Sequence, residues 1–142
     1  MIDENYWLSR TELLLGKSKI EKLRNAHVLV AGLGGVGSFA TEAICRSGIG
    51  EITIVDNDTV GRSNINRQLP ALTSTVGKTK TSVMVERLKD INPDIRLHTK
   101  ETYLKDESIP EILSGDFDFV IDAIDTLSPK IFFIKNCVER GF

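Results

Sequence analysis

The chain has little cysteine, no long apolar run and almost no net charge, and each shortage removes a class of function. Its 142 residues include two cysteines. Cys45 and Cys137 lie far apart and form no C-x-x-C pair. This argues against a structural zinc site or a disulfide scaffold and fits a reducing cytoplasm. No apolar stretch reaches the roughly 18 residues of a membrane span, so no membrane partner is expected. The formal net charge of −2 gives no pull toward nucleic acid or a lipid surface. Asp3 and Glu4 make the opening residues acidic and no apolar run follows them. Neither a secretory signal nor a basic transit peptide is expected there. Internal repeats and low-complexity tracts are missing as well.

What is present belongs to an ordinary globular protein: 41% hydrophobic and 27% charged residues. This length fits one domain, burying roughly two-thirds of the unfolded chain's surface. Apolar periodicity orders the elements. Residues 11–24 read as a helix in which Leu14, Ile20 and Leu23 alternate with Lys17, Lys19, Lys22 and Arg24. Residues 27–31 read as an apolar strand, followed by a glycine-rich turn at 32–37. From Val36 the apolar positions Phe39, Ala40, Ala43 and Ile44 follow the helical period, and Gly48 and Gly50 end that helix. Residues 51–55 form a second strand closed by Asp56. About twenty residues, 57–77, show no period; so long a loop tends to be functional. Helix is expected over 78–91, strand over 95–99, a short helical turn over 109–113, strand over 117–121 and a last helix over 129–139 with Pro129 in its first turn. Strands alternating with helices imply an α/β, Rossmann-like fold with a mostly parallel sheet. The expected organisation is an N-terminal helical arm at 1–25 and a nucleotide-binding domain at 26–142. Four strands would leave at least one open edge, so the chain is expected to be the N-terminal part of a larger domain.

The central motif is Gly32-Leu33-Gly34-Gly35-Val36-Gly37, directly after a strand and at a helix start. Its G-x-G-x-x-G pattern uses Gly32 for a tight turn, Gly34 for close backbone approach to a phosphate and Gly37 for packing of helix on strand. Free N–H groups and the helix dipole then face an anion. Asp56, at the end of the second strand, suits an acid that hydrogen-bonds ribose hydroxyls, with Asp58 as a second candidate. A plain dinucleotide domain leaves the rest unexplained. The long loop carries Asn64, Asn66, Arg67 and Gln68, and Lys80 opens the next helix; Arg67 and Lys80 are placed to hold phosphates. Asp122 and Asp125 follow the fourth strand, where carboxylates hold magnesium through oxygen ligands and waters. The set points to nucleoside triphosphate chemistry with ATP and Mg, ahead of an NAD-linked oxidoreductase on the same glycine loop. Cys45, Cys137, His27 and His98 read as packing or surface residues. The basic residues of the first helix read as a solvated face.

These motifs, with Val76-Gly77-x-x-Lys80, Ile91-Asn92-Pro93 and Asp122-x-x-Asp125 in the same order, resemble the ThiF/MoeB/ubiquitin-activating superfamily from Arg10 onward. Arg10-Thr11-Glu12-Leu13-Leu14-Leu15-Gly16, the Asn64-x-Asn66-Arg67-Gln68 loop and Asp122-Ala123-Ile124-Asp125 are similar to its tRNA threonylcarbamoyladenosine dehydratase branch. The resemblance implies an enzyme that uses ATP·Mg to activate a carboxylate and releases pyrophosphate. In that branch the carboxylate is on a modified tRNA base, which is then cyclised with net loss of water. The implied alternative is activation of a ubiquitin-like or sulfur-carrier protein. By the same resemblance Gly32, Gly34, Gly35 and Gly37 lie along the phosphates, and Asp56, Asp58 and Gln68 bind the nucleotide. Asn64, Arg67 and Lys80 are catalytic, Asp125 holds the metal, and Arg10 reaches into the partner's site of a homodimer.

Overall fold

The computed structural model describes residues 6–142. Asp3, Glu4 and the start of the expected 1–25 arm lie outside the described residues. Four strands, β1 (His27–Ala31), β2 (Glu51–Val55), β3 (Arg96–Lys100) and β4 (Phe119–Asp122), form one sheet in the order β3-β2-β1-β4. Every pairing is parallel, in the register His27↔Glu51↔Arg96. Before β1 come α1 (Ser9–Leu15) and α2 (Lys17–Asn25). α3 (Gly37–Arg46) links β1 to β2, α4 (Lys80–Ile91) links β2 to β3, and α5 (Ile109–Ile112) precedes β4. α6 (Leu127–Arg140) follows β4. The α/β Rossmann-like expectation is met.

The strand order decides where a site can form. The chain winds outward from β1 through β2 to β3, then returns to β4 on the other side of β1. At such a reversal the connections leave the carboxyl ends of neighbouring strands in opposite directions and open a crevice between them.

The strands are apolar on both faces because both are covered. Val28, Val30, Ile52 and Ile54 pack with Cys45, Met84 and Leu88 of α3 and α4. On the other face Leu29, Ala31 and Val55 pack with Ile109, Ile112, Phe117 and Phe133. β3 differs: Arg96, His98 and Thr99 are exposed, and a polar edge of this kind resists pairing with foreign strands.

Several boundaries depart from the sequence reading. The helix expected over 11–24 is two helices broken at Gly16, whose φ of +82° lies in the left-handed region. The apolar period runs through the break, but Leu14 is 83% exposed while Ile20 is 2% exposed, so the two do not share one buried face. β3 begins one residue late, and β4 begins at Phe119 instead of 117. Phe117 is buried in the preceding turn, its ring centroid 4.7 Å from that of His27, so apolar character there marks packing and not pairing. α4 begins at Lys80, capped by Thr79, whose hydroxyl accepts from the Ser82 N–H. The 57–77 loop is ordered by two short 3-10 turns, Arg62–Asn64 and Thr73–Thr75.

Candidate functional site

The glycine motif is held against β4 by contacts that only glycine permits. Gly32 has a φ of +99° and donates its N–H to the Val55 carbonyl at 2.8 Å. A Cβ on Gly32 would lie 2.7 Å from the Ala123 carbonyl oxygen, and one on Gly37 would lie 1.8 Å from the Gly32 oxygen. The loop therefore folds back onto the start of α3 and the exit of β4 with no space for side chains. At Gly34 the situation is open: a Cβ would meet nothing nearer than Gln68 Nε2 at 3.9 Å. Bare backbone faces the crevice there.

Asp56 ends β2 and is 8% exposed. One carboxylate oxygen accepts the Leu33 N–H and the other the Asp58 N–H, each at 2.8 Å. It thus ties the glycine loop to the loop after β2. Lys80 is 4% exposed. Its Nζ donates to Asp58 Oδ2 at 2.8 Å and stands 4.0 Å from Asp56 Oδ2. A cation this deeply buried needs such partners, and they fix its direction.

The loop supplies the opposite wall. Asn64 Oδ1 accepts the Gly61 N–H at 2.8 Å. Arg67 is exposed and donates from Nη1 to the Ser63 carbonyl and to Asn66 Oδ1 at 2.9 and 3.0 Å. Gln68 is 9% exposed, and its Oε1 is the buried side-chain oxygen among the described residues that lacks a hydrogen-bond partner. Buried acceptors are nearly always satisfied, so an unpaired one beside an open crevice marks a place for a ligand donor.

Gly32, Gly34, Asp56, Asp58, Asn64, Arg67, Gln68, Lys80 and Asp125 line one cleft of about 390 Å³ at the carboxyl ends of the strands. Gly35 and Gly37 do not line it: Gly35 sits beside Arg67 and Gly37 under the loop. Arg10 is exposed on α1 and does not line it either. Asp122, paired with Asp125 as a metal candidate in the sequence, is committed elsewhere. Its Oδ1 accepts the Ile124 N–H at 3.0 Å and its Oδ2 pairs with Lys130. Asp125 is exposed, and the Thr126 hydroxyl donates to it at 3.3 Å.

Sequence reasoning passed over several lining residues: Asn57, Tyr103, Leu104, Ala123, Ile124 and Thr126. Tyr103 and Leu104 follow β3, and the rule that ligands sit beyond the carboxyl ends of such strands was the signal that could have found them. The cysteines take no part. Burial pushes the Cys45 thiol up to about 11, and burial also raises that of Cys137. Both thiols stay protonated and inert at neutral pH.

Chemically, the cleft gathers bare glycine backbone with the cations Lys80 and Arg67, and with them the exposed carboxylate of Asp125. The first set suits phosphate oxygens; the second suits a hard cation that keeps most of its waters. The glycine cradle and the unpaired Gln68 oxygen fit a nucleotide.

The sequence model of the ThiF family matches residues 8–142. A tRNA threonylcarbamoyladenosine dehydratase of Bacillus subtilis is 46% identical over 132 residues, covering 93% of this chain and 52% of that protein. A molybdopterin-synthase adenylyltransferase of Salmonella typhimurium is 37% identical over 121 residues, covering 85% of this chain and 46% of that protein. The crystal structure of the Escherichia coli tRNA N6-threonylcarbamoyladenosine dehydratase in complex with ATP superposes with a TM-score of 0.94 at 37% identity. It covers 100% of this chain and 59% of that one. The chain spans about half the length of the curated relatives it matches.

Proposed function

This chain belongs to the ThiF family, and from that premise we propose that it forms the ATP-binding half of a tRNA threonylcarbamoyladenosine dehydratase. The reaction is activation of the modified base's carboxylate by ATP with release of pyrophosphate, then cyclisation with net loss of water. The observation that carries the reading is the single cleft, which unites glycines, carboxylates and cations from five separate stretches of sequence.

Each residue's task follows from its environment. Gly34 offers backbone to the phosphates and Asp56, already braced on Leu33, accepts from ribose hydroxyls with its remaining lone pairs. The unpaired Gln68 oxygen accepts a nucleotide donor. Lys80 is held in place by Asp58, so its charge needs no reorganisation as negative charge shifts between oxygens. Arg67 and Asn64 face the same space from the loop. Asp125 would hold magnesium, which would neutralise phosphate charge when bound. Transfer of this kind is mainly positioning and charge stabilisation, which is what the cleft residues provide. Arg10, exposed and away from its own cleft, serves the partner's cleft in a homodimer working in the cytoplasm. The tRNA is bound as substrate. On α2, Lys17, Lys19 and Lys22 form an exposed basic face, while Arg24 is engaged by the Tyr6 hydroxyl at 2.8 Å.

Calorimetric titration with ATP·Mg, with NAD as control, tests the nucleotide; binding of NAD in place of ATP overturns the reading. The acceptor is tested by incubating the whole protein with threonylcarbamoyl-tRNA and ATP·Mg. A cyclic product supports the dehydratase. Its absence, together with ATP–pyrophosphate exchange that needs a small protein with a Gly-Gly tail, assigns the chain to carrier-protein activation instead.

A further inference from the structure

At the amino ends of β1 and β2 and beside the middle of β3, away from the cleft, the chain's two histidines converge on one carboxylate. His27 and Glu51 are register partners, and His98 stands opposite Thr53 on the neighbouring strand. The two-residue period of a strand puts His27, Glu51, Thr53, Arg96 and His98 on one face of the sheet. The cover from α5 and α6 does not reach β3 there, so the side chain of His98 is 54% exposed while Glu51 is 22% and His27 18% exposed. The cluster is open to solvent on one side and walled on the other.

Glu51 Oε1 lies 2.7 Å from His98 Nε2 and 3.8 Å from His27 Nδ1. One ligand atom from each residue lies within 4.8 Å of the other two. Nitrogen and oxygen ligands of a tetrahedral zinc ion are roughly 3.3 Å apart, so small side-chain rotations bring all three onto one ion. The surrounding contacts are those that orient metal ligands. Thr53 Oγ1 lies 2.8 Å from His27 Nε2, and Arg96 donates to the other Glu51 oxygen at 2.9 and 3.1 Å. Ligating histidines characteristically use their second nitrogen in this way, and ligating carboxylates are themselves hydrogen-bonded. In the metal-free protein the Asp116 carbonyl can only accept, so Nδ1–H donates to it at 3.0 Å and Nε2 accepts from the Thr53 hydroxyl. An ion at Nδ1 takes the place of that proton, and Nε2–H then donates to Thr53 Oγ1. The Phe117 ring packs edge-to-face with the imidazole, the ring centroids 4.7 Å apart.

The geometry points to a site for a borderline transition-metal ion, zinc(II) foremost, ligated by His27 Nδ1, Glu51 Oε1 and His98 Nε2 with the Asp116 carbonyl oxygen beside them. Two imidazoles select zinc, nickel or copper over magnesium or calcium. The ion would tie three parallel strands, β1, β2 and β3, to one another. This inference does not rest on the reading of the cleft.

The test uses the chain without an affinity tag, stripped with a chelator and titrated with Zn²⁺ by calorimetry and with Co²⁺ in the visible spectrum. The expected result is one-to-one binding, a raised Tm with zinc and tetrahedral cobalt bands with no thiolate charge-transfer band. His98→Ala, on an exposed edge position, keeps the fold and loses at least tenfold in affinity. Thr53→Val loses roughly 10–100-fold, the usual effect of removing an outer-shell hydrogen bond. Asp125→Asn, at the other end of the sheet, binds zinc as the parent does. Absence of stoichiometric binding by either ion overturns the proposal. So does a thiolate band, which would put the ion on a cysteine, or undiminished affinity in His98→Ala.

Discussion

The two ends of the same sheet handle polar groups in opposite ways. At the carboxyl ends, charges and backbone dipoles are braced from behind and left with capacity in front. Asp56 holds Leu33 and Asp58, Lys80 rests on Asp58, and Gln68 keeps an oxygen with no partner. At the other end, Arg96 and His98 turn onto Glu51, while His27 turns to Thr53 and the Asp116 carbonyl. A site for a large, highly charged ligand needs the first arrangement, because its donors must be free yet fixed. A site for a single ion needs the second, because convergent lone pairs are the site. The strand order produces the open cleft: the reversal next to β1 parts the connections at the carboxyl ends.

The sharpest way to break the contrast is Gly37→Ala. A Cβ there would stand 1.8 Å from a backbone oxygen, so the glycine loop must move. Loss of measurable ATP binding by calorimetry and a lowered Tm are expected; wild-type ATP affinity would refute the account of the loop. Next in size is Arg67→Ala, in the whole protein. An exposed side chain costs little stability when removed, but loss of a donor to developing charge costs about 2.7–4 kcal/mol in the barrier. Turnover should fall by about 10²–10³-fold with Tm unchanged, read by steady-state kinetics beside a thermal melt. Asp56→Ala should weaken ATP binding more than it slows the chemistry, since it frees both loops it braces and removes a ribose acceptor. Unchanged ATP affinity would remove that assignment. A control keeps the ends independent: His98→Ala should bind ATP as the parent does.

The smallest effect concerns neither end. Glu42 on α3 bridges Arg87 of α4 and Arg46 of its own helix. The hydrogen bond from Arg87 chiefly, against the opposing pull of burial and with help from Arg46, holds its carboxyl below the ordinary 4.5. A depressed folded value means that this bridge stabilises the fold above pH 4.5 and loses that contribution as pH falls through the folded value. Glu42→Gln should cost about 0.5–1 kcal/mol near neutral pH and flatten the acid limb of a stability-versus-pH curve. Parallel curves for variant and parent would show that the bridge contributes nothing.

Most of the cleft was legible because its parts are local. Gly32, Gly34 and Gly37 announce a turn whose backbone geometry excludes side chains, and Asp56 and Lys80 sit where a strand ends and a helix begins. Asp122 was misread because its neighbour Lys130 lies on the next helix, and nothing in the spacing says that the pair closes. Tyr103 and Leu104 carry no motif; only the sheet brings the segment after β3 to the cleft. The break at Gly16 escaped because the apolar pattern runs on through it.

By itself the sequence determined the order and kind of the elements, the parallel sheet they imply and the chemistry of the glycine loop. These depend on periodicity, turn residues and backbone freedom, which act over a few residues. Tertiary structure alone decided which carboxylate at the end of β4 stays free and where Lys80 finds its counter-ions. It also decided that two histidines, far apart in the chain, meet across Glu51. The reason is that strand register, set by burial of whole faces against helices, fixes which distant side chains become neighbours.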